Sequence, residues 1–281
     1  MTIRIKPLAE VPATTIAELN RRLVEFYRGS DPAYYTEADW NAGRYGSPEL
    51  SFHRRLLDAV RPGMTVCEVG CGTAHFCPEV ERRGGLYTGM DWGESLLAAN
   101  RRRYPTAQFV SLERDPDAGF DFVVSLYALE HLADPVAGLE QLVRLCRAGG
   151  LIGVLCPDFV RAGGAPSLYF GRTPRRFREK IRSGSWIDAI DHLRDMWGAL
   201  PRWSRLARNS APGCFWINLE PRILTRGTYL IDADAVHLPH LDDLVFWFRR
   251  KGLTVQETTR DVTGLSGATS NPTAYVLARK S

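Results

Sequence analysis

Residues 66–74, Val-Cys-Glu-Val-Gly-Cys-Gly-Thr-Ala, decide the fold of this 281-residue chain. A short apolar run includes one acid, Glu68, and is followed by two glycines, Gly70 and Gly72. Glycines at such positions let the backbone turn sharply beside a ligand and open the N-terminus of the next helix. The stretch therefore predicts a strand, a tight turn and a helix, with a ligand site at the turn.

The surrounding sequence repeats this alternation of short apolar runs and amphipathic stretches. Strands are expected at 65–69, 86–90, 108–111, 120–126 and 151–156, with a turn at 148–150 before the fifth. Two further strands, 253–259 and 273–278, have only a Gly- and Pro-containing loop between them, so they should pair antiparallel. The pattern predicts an α/β fold: a doubly wound, mostly parallel seven-stranded sheet with an antiparallel last strand.

Helical segments outside this alternation suggest a division into four parts. N-terminal helices should form a lid region, and a helix at about 187–200 should belong to a helical cap inserted after the fifth strand. The expected parts are a lid region (1–60), a ligand-binding core (61–157), a basic, Trp-rich cap (158–231) and the C-terminal part of the core (232–281).

The charge of the chain is concentrated in the cap. Residues 161–226 contain twelve Arg and one Lys against five acids, a net charge of +8, whereas the whole chain carries +4. The remainder is therefore net acidic, and the asymmetry points to an anionic partner for the cap. No apolar run approaches the ~18 residues that span a bilayer, and the first residues lack a signal-peptide core. We expect a cytoplasmic protein with no membrane contact.

A second acid narrows the ligand at the glycine turn. Asp91 ends the second expected strand, where a carboxylate can accept hydrogen bonds from both ribose hydroxyls, so an adenosine-containing ligand is indicated. A dinucleotide site requires a third glycine, but His75 stands at that position. Glu68 would repel a pyrophosphate and would suit an ammonium group.

Five motifs in order resemble class I S-adenosylmethionine-dependent methyltransferases, over roughly 61–156 and 239–278. They are the Glu68-x-Gly70-x-Gly72 turn, Asp91, the run Phe-Asp-Phe-Val-Val-Ser at 120–125, Leu-Glu-His-Leu at 129–132 and Arg-Ala-Gly-Gly at 147–150. The resemblance implies a methyltransferase that uses S-adenosylmethionine as its methyl donor.

The resemblance also implies roles for individual residues at the donor. Gly70 and Gly72 would approach the methionine part, Glu68 would orient its amino group, and Asp91 would bind the ribose. The other implied donor contacts are Trp92 on the adenine, Glu113 or else Leu112 or Asp115 at the adenine amino group, Ser125 beside the methyl group, and Arg44 with Tyr45 in a lid over the donor carboxylate.

Two residues are candidates for catalysis. His131 stands at the mouth of the fourth strand and is a candidate general base, although its imidazole could equally hold the loop. Tyr127 leaves the same strand beside the methyl group, where a quinone-pathway subset of the family has a metal-binding glutamate, so no metal is expected. His192, His237 and His240 are alternative bases.

The cap should face the acceptor. Arginines at 172, 175, 176 and 178, interleaved with aromatic residues, suit phosphate or carboxylate, or else form a solvated helical face. The main hypothesis is O- or N-methylation of a small molecule, of a natural-product or sugar-nucleotide type, by a monomer or homodimer. Two alternatives remain: a nucleic-acid-modifying methyltransferase that uses the basic cap, and a donor-binding protein that does not transfer methyl groups.

Overall fold

The computed structural model describes residues 4–29, 52–114, 119–162, 170–173, 175–221, 234–262 and 272–281. The strands are β1 (Ile5–Pro7), β2 (Thr65–Val69), β3 (Leu86–Asp91), β4 (Gln108–Ser111), β5 (Phe120–Leu126), β6 (Cys146–Pro157), β7 (Trp216–Asn218), β8 (His237–Leu238), β9 (Thr254–Thr258) and β10 (Thr273–Arg279). The α-helices are α1 (Ala13–Gly29), α2 (Phe52–Leu57), α3 (Cys77–Arg82), α4 (Glu94–Arg103), α5 (Pro135–Leu145), α6 (Phe159–Ala162), α7 (Phe177–Arg182), α8 (Trp186–Arg194), α9 (Leu200–Asn209) and α10 (Leu241–Arg250).

Seven strands form the central sheet in the order β4-β3-β2-β5-β6-β10-β9. The pairs from β4 to β6 are parallel, whereas β10 runs antiparallel to both β6 and β9. The chain moves outward from β2 to β4 and then returns to β5 on the other side of β2. This reversal creates a switch point between β2 and β5, where open α/β sheets bind ligands. The predicted fold class is confirmed.

The apolar residues of each strand pack alternately on the two faces of this sheet. Val123 and Ile152 contribute to one cluster, with α5 and α10, while Phe122 and Leu151 contribute to the other, with α2 and α3. Because successive side chains of a strand point to opposite faces, a strand covered on both sides must be apolar throughout. This explains why β5, with Val123 and Val124 fully buried, is recognisable in the sequence.

Two local predictions differ from the structure. Residues 148–150 continue β6 where we expected a turn, because Gly149 N–H donates to the Lys280 carbonyl and Lys280 N–H donates to the Gly150 carbonyl. The single expected cap helix is two helices, α8 and α9, joined by a π-helical turn at Asp195–Ala199. The first difference arises from pairing with Lys280, which is remote in sequence. The second arises within the helix, where several consecutive residues adopt the π-helical turn.

The N-terminal region and the cap meet in a second, three-stranded sheet. β1 pairs antiparallel with β7, which in turn pairs antiparallel with β8. Beneath it, Leu23 of α1 and Ile217 of β7 are fully buried in one cluster with Val236. No helix among the described residues is both long and apolar enough to cross a bilayer.

Truncating Ile217 should therefore destabilise the protein. Ile217→Ala leaves a cavity between α1 and the cap, and we expect a loss of about 2–4 kcal/mol in the free energy of unfolding, measured by urea denaturation. Leu206→Ala, at a side chain that is 62% exposed on α9, is the control and should change stability by less than about 0.5 kcal/mol. Equal effects of the two substitutions would contradict a shared core.

Candidate active site

The glycine turn after β2 is held by its neighbours on both sides. The N–H groups of Gly70 and Cys71 each donate to the Met90 carbonyl at 2.9 Å. Gly70 has a φ of +78°, and a Cβ placed there would lie 2.4 Å from the Cβ of Ala128, which follows β5. The turn is therefore wedged between the ends of β3 and β5, where only glycine fits.

Asp91 is fixed by the same turn. Its carboxylate accepts a hydrogen bond from Gly72 N–H at 2.9 Å and another from Gly93 N–H at 3.2 Å. Asn100 of α4 donates its side-chain amide to the Gly72 carbonyl at 2.7 Å and closes the arrangement. Burial raises the pKa of Asp91, while the backbone N–H groups lower it. The carboxylate oxygens have further lone pairs, which could accept hydrogen bonds from hydroxyl groups of a ligand.

Glu68 is the second buried carboxyl group of the site. It is 3% exposed, and the Tyr87 hydroxyl donates a hydrogen bond to it. Burial raises the pKa of Glu68 to about 8, against the lowering effect of the Tyr87 hydrogen bond. At pH 7 this carboxyl group is therefore mostly neutral, and a cation bound beside it would favour its ionised form.

The exit of β5 provides a third side of the site. Ser125 is buried, and Tyr127 has a φ of +52°, a left-handed conformation that is uncommon for residues other than glycine. Tyr127 N–H donates to the Leu155 carbonyl at 2.7 Å, and its ring lies 5.6 Å from that of His53. Non-glycine residues with a positive φ are concentrated at functional sites.

His131 belongs to a polar cluster that the sequence analysis missed. Its Nδ1 lies 3.5 Å from Oδ1 of Asp234, and the Tyr27 hydroxyl of α1 donates to the other carboxylate oxygen. The ring centroids of Tyr27 and His131 are 5.9 Å apart. Asp234 is separated from Tyr27 by 207 residues, and no local motif marks it.

The predicted adenine contacts lie next to α1. Trp92 stacks on Tyr27, with ring centroids 5.9 Å apart, and Glu113 forms an exposed ion pair with Arg28. Leu112 packs against the core beneath the sheet edge, and its N–H donates to the Asp91 carbonyl at 3.0 Å. The alternative adenine contact Asp115 and the predicted lid residues, Arg44 and Tyr45, lie outside the described residues.

The alternative histidine bases have different surroundings. His237 is fully buried, and burial lowers its pKa to about 3. His192 lies 3.2 Å from the Phe170 carbonyl, and burial lowers its pKa as well. His240 lies between two carboxylates, 3.7 Å from Asp242 and 3.8 Å from Asp243. Of the four candidate bases, His131 is the one that directly follows β5.

Part of the positive charge of the cap is neutralised within the cap. Arg172 forms an ion pair with Asp191 at 2.6 Å, and the fully buried Lys180 pairs with Asp188 at 2.9 Å. Burial raises the pKa of Asp188, but hydrogen bonds from the Thr173 hydroxyl, from Lys180 and from the backbone N–H groups of Arg172 and Thr173 outweigh it and lower the pKa. Arg175, Arg176 and Arg178 are exposed.

The cysteines are free thiols with raised pKa values. Five are buried and Cys214 is partly buried; burial raises the pKa of Cys77 to about 12 and that of Cys146 to about 11. Such thiols are poor nucleophiles. In the described part of the chain, no group of three or more His, Cys, Asp or Glu side chains is arranged to hold a metal ion.

Comparison with known proteins identifies the family. A model of the methyltransferase-domain family matches residues 50–258, more than half of the chain. The chain therefore belongs to this family, and the resemblance to class I S-adenosylmethionine-dependent methyltransferases that its motifs indicate is confirmed.

Individual relatives match more distantly. An uncharacterised methyltransferase of Mycobacterium tuberculosis is 33% identical over 124 residues, 41% of this chain and 59% of that protein, so the chain spans less than two thirds of that relative. A demethylmenaquinone methyltransferase from a Mycobacterium species is 30% identical over 179 residues, 62% of this chain and 76% of that protein.

A solved structure shares the fold. The 1,6-didemethyltoxoflavin-N1-methyltransferase of Burkholderia thailandensis, with bound 1,6-didemethyltoxoflavin and S-adenosylhomocysteine, aligns with a TM-score of 0.52. It is 16% identical, and the alignment covers 99% of this chain and 96% of that chain.

The raised pKa of Glu68 leads to a pH-dependent stability difference. The carboxyl group has a pKa of about 8 when folded and about 4.3 when unfolded, so its contribution is most favourable below pH 4 and is lost as the pH rises through 8. Glu68→Gln should therefore gain Tm relative to the wild type between pH 5 and pH 8.5, by about 2–6 °C in a calorimetric scan.

Glu25→Gln is the matched control, because Glu25 is 74% exposed on α1. Its Tm difference from the wild type should stay constant over the same pH range. A constant difference for Glu68→Gln as well would mean that the buried carboxyl group is already ionised at pH 5.

Proposed function

We propose that the protein is an enzyme that transfers a methyl group from S-adenosylmethionine to a small-molecule oxygen or nitrogen acceptor. The observation that carries this proposal is the pair of buried carboxyl groups, Glu68 and Asp91, on either side of the glycine turn at the switch point of the sheet. An ammonium group and two ribose hydroxyls are the donor groups that such a pair can bind.

The residues present fit the donor. Gly70 lets the turn pack against Ala128, and Gly72 leaves its backbone open, with no atom within 4 Å of a Cβ placed there. Asp91 is oriented by two N–H groups, and Glu68 gains charge when a cation binds. Trp92, with Leu112 and Glu113, would face the adenine. When bound, the donor supplies an electrophilic methyl group that a nucleophile displaces in line. The chain itself must then align the acceptor and exclude water.

Ser125 and Tyr127 are proposed to border the acceptor, because they leave β5 beside the glycine turn. His131 is proposed as the general base for a hydroxyl or protonated amine. Asp234 faces Nδ1 of the imidazole, so it would keep the proton on that nitrogen, and Nε2 would then take the acceptor's proton. Asp234 acts here as a positioning residue.

A small molecule is favoured over nucleic acid as the partner. The toxoflavin-type and demethylmenaquinone methyltransferases are named for small organic acceptors, and they share respectively the fold and part of the sequence. Arg172 and Lys180 are paired with Asp191 and Asp188, which reduces the charge that the cap offers to a polyanion. A cytoplasmic monomer or homodimer remains the prediction for its state in the cell.

Calorimetry with S-adenosylhomocysteine tests the donor site. The wild type should bind it, and Gly70→Ala should weaken binding by more than tenfold, because the new Cβ would displace the turn from Ala128. Gly252→Ala, just after α10, is the control: its φ of +80° also disfavours alanine, by about 1–2 kcal/mol, but no atom lies within 4 Å of the added Cβ, and it should bind S-adenosylhomocysteine as the wild type does.

The outcomes separate the possible ligands. Binding of NAD without binding of S-adenosylhomocysteine would overturn the donor assignment. Incorporation of labelled methyl groups from S-adenosylmethionine into a panel of phenols, amines and sugar nucleotides, and not into RNA or DNA, is expected. Labelling of nucleic acid alone would overturn the acceptor class, and donor binding with no labelling of any acceptor would favour a protein that does not transfer methyl groups.

His131→Asn should lower kcat by about 10²–10⁴ at pH 7 with the acceptor found in that screen, since general bases contribute this much. The loss should shrink at a pH where the acceptor ionises without assistance. Asp234→Asn should shift the pH profile of kcat and leave S-adenosylhomocysteine affinity unchanged. Full activity of His131→Asn at pH 7 would assign the imidazole to holding the loop.

A further inference from the structure

A cleft of about 360 Å³ opens at the carboxyl end of β6. It lies between the short helix α6, the last turn of α9 and the first turn of α10. Its lining residues are Asp158, Val160, Arg161, Arg208, His240, Leu241 and Arg260. A volume of this size is at the lower end of the range for small-molecule sites.

The cleft is lined mainly by positive side chains. Arg161, Arg208 and Arg260 contribute guanidinium groups from three separate elements, and His240 adds an imidazole. Asp158 is the single acid among the lining residues, and it is 1% exposed. Asp242 lies against Arg260 and His240, and Asp243 lies against His240, so the excess positive charge of the lining rests on Arg161 and Arg208. An anion is the complementary ligand for these two groups.

The carboxylate of Asp158 is engaged by the backbone. One oxygen accepts a hydrogen bond from Arg161 N–H at 2.9 Å, and the other lies 3.4 Å from Leu241 N–H. Asp158 thus joins the first turns of α6 and α10 and holds two walls of the cleft in place. These two N–H groups offset part of its negative charge.

Two of the arginines have no carboxylate partner among the described residues. Arg260 forms an ion pair with Asp242 at 2.6 Å. Among the described residues, Arg208 Nε donates only to the Val160 carbonyl, at 3.4 Å, and the exposed Arg161 forms no side-chain ion pair. A guanidinium can bind phosphate or carboxylate with two parallel hydrogen bonds. Arg161 and Arg208 are therefore the groups available to an anion.

The position of the cleft connects it with the β5 exit. Leu126 of β5 is in register with Leu155 of β6, and Tyr127 N–H donates to the Leu155 carbonyl. Asp158 lies three residues further along the chain, which corresponds to about 10 Å of extended strand. The cleft and the β5 exit therefore lie at the same end of two neighbouring strands.

We propose that this cleft binds an anionic group, phosphate or carboxylate, carried by the acceptor, with Arg161 and Arg208 as its principal ligands. The proposal rests on the proposed methyltransferase function for the identity of the molecule, but the anion site itself is testable without methyl transfer. It assigns acceptor recognition to arginines outside the group at 172–178 that the sequence indicates.

Inorganic phosphate and acetate are the probes, titrated by calorimetry into the full chain saturated with S-adenosylhomocysteine. The wild type should bind one of them with a millimolar Kd, and the double variant Arg161→Gln/Arg208→Gln should bind it at least tenfold more weakly. Arg202→Gln, at an exposed arginine of α9 that does not line the cleft, is the matched control and should bind as the wild type does. Preference for phosphate or for acetate identifies the anionic group.

Separate readouts distinguish failure of the anion site from failure of the donor site. Affinity for S-adenosylhomocysteine should be the same in the wild type, the double variant and Arg202→Gln. If the wild type does not bind S-adenosylhomocysteine, that result counts against the proposed function. The probes would then be titrated into the protein without S-adenosylhomocysteine. Probe binding that is absent in the wild type, or unchanged in the double variant, would overturn the anion site. Arg208→Lys, which keeps the charge and loses the paired hydrogen bonds, should show intermediate affinity.

Discussion

The hydrogen bond from Gly72 N–H to the Asp91 carboxylate is the interaction on which the rest of the site depends. It ties the glycine turn after β2 to the end of β3, and the contact of Gly70 with Ala128 ties the same turn to the exit of β5. Parallel strands end at one edge of a sheet, so three chain segments are brought together there without any long connection. The residues proposed to bind the methyl donor, together with Ser125 and Tyr127, are positioned by this junction.

Burial acts differently on the two carboxyl groups of the site. Asp91 accepts hydrogen bonds from the N–H groups of Gly72 and Gly93, which offset part of the effect of burial on its pKa. Glu68 accepts a hydrogen bond from the Tyr87 hydroxyl and has a pKa of about 8. A desolvated carboxyl group without a cation stays protonated, because the low-dielectric surroundings penalise its charge. In the proposed function the cation is the donor's ammonium group, so ligand binding and ionisation of Glu68 would be coupled.

The N-terminal helix and the cap meet on one side of this junction. Tyr27 of α1 contacts Trp92, His131 and Asp234, and β1 pairs with β7 of the cap. These contacts place the proposed base and the proposed adenine contact in one packed cluster. A basic cap need not bind a polyanion, because part of its charge is paired within the cap and because Arg161 and Arg208 line a cleft.

The sequence by itself determined the central sheet and the glycine turn after β2. Strands such as 120–126 are largely buried on both faces, so most of their residues are apolar. Glu68, Gly70, Gly72 and Asp91 stand at fixed positions relative to strand ends. Only the tertiary structure decided that Asp234 faces His131, that β1 pairs with β7, and that Arg161, Arg208 and Arg260 line one cleft. These groups come from segments far apart in the chain, and proximity that arises from packing leaves no periodic pattern in the sequence.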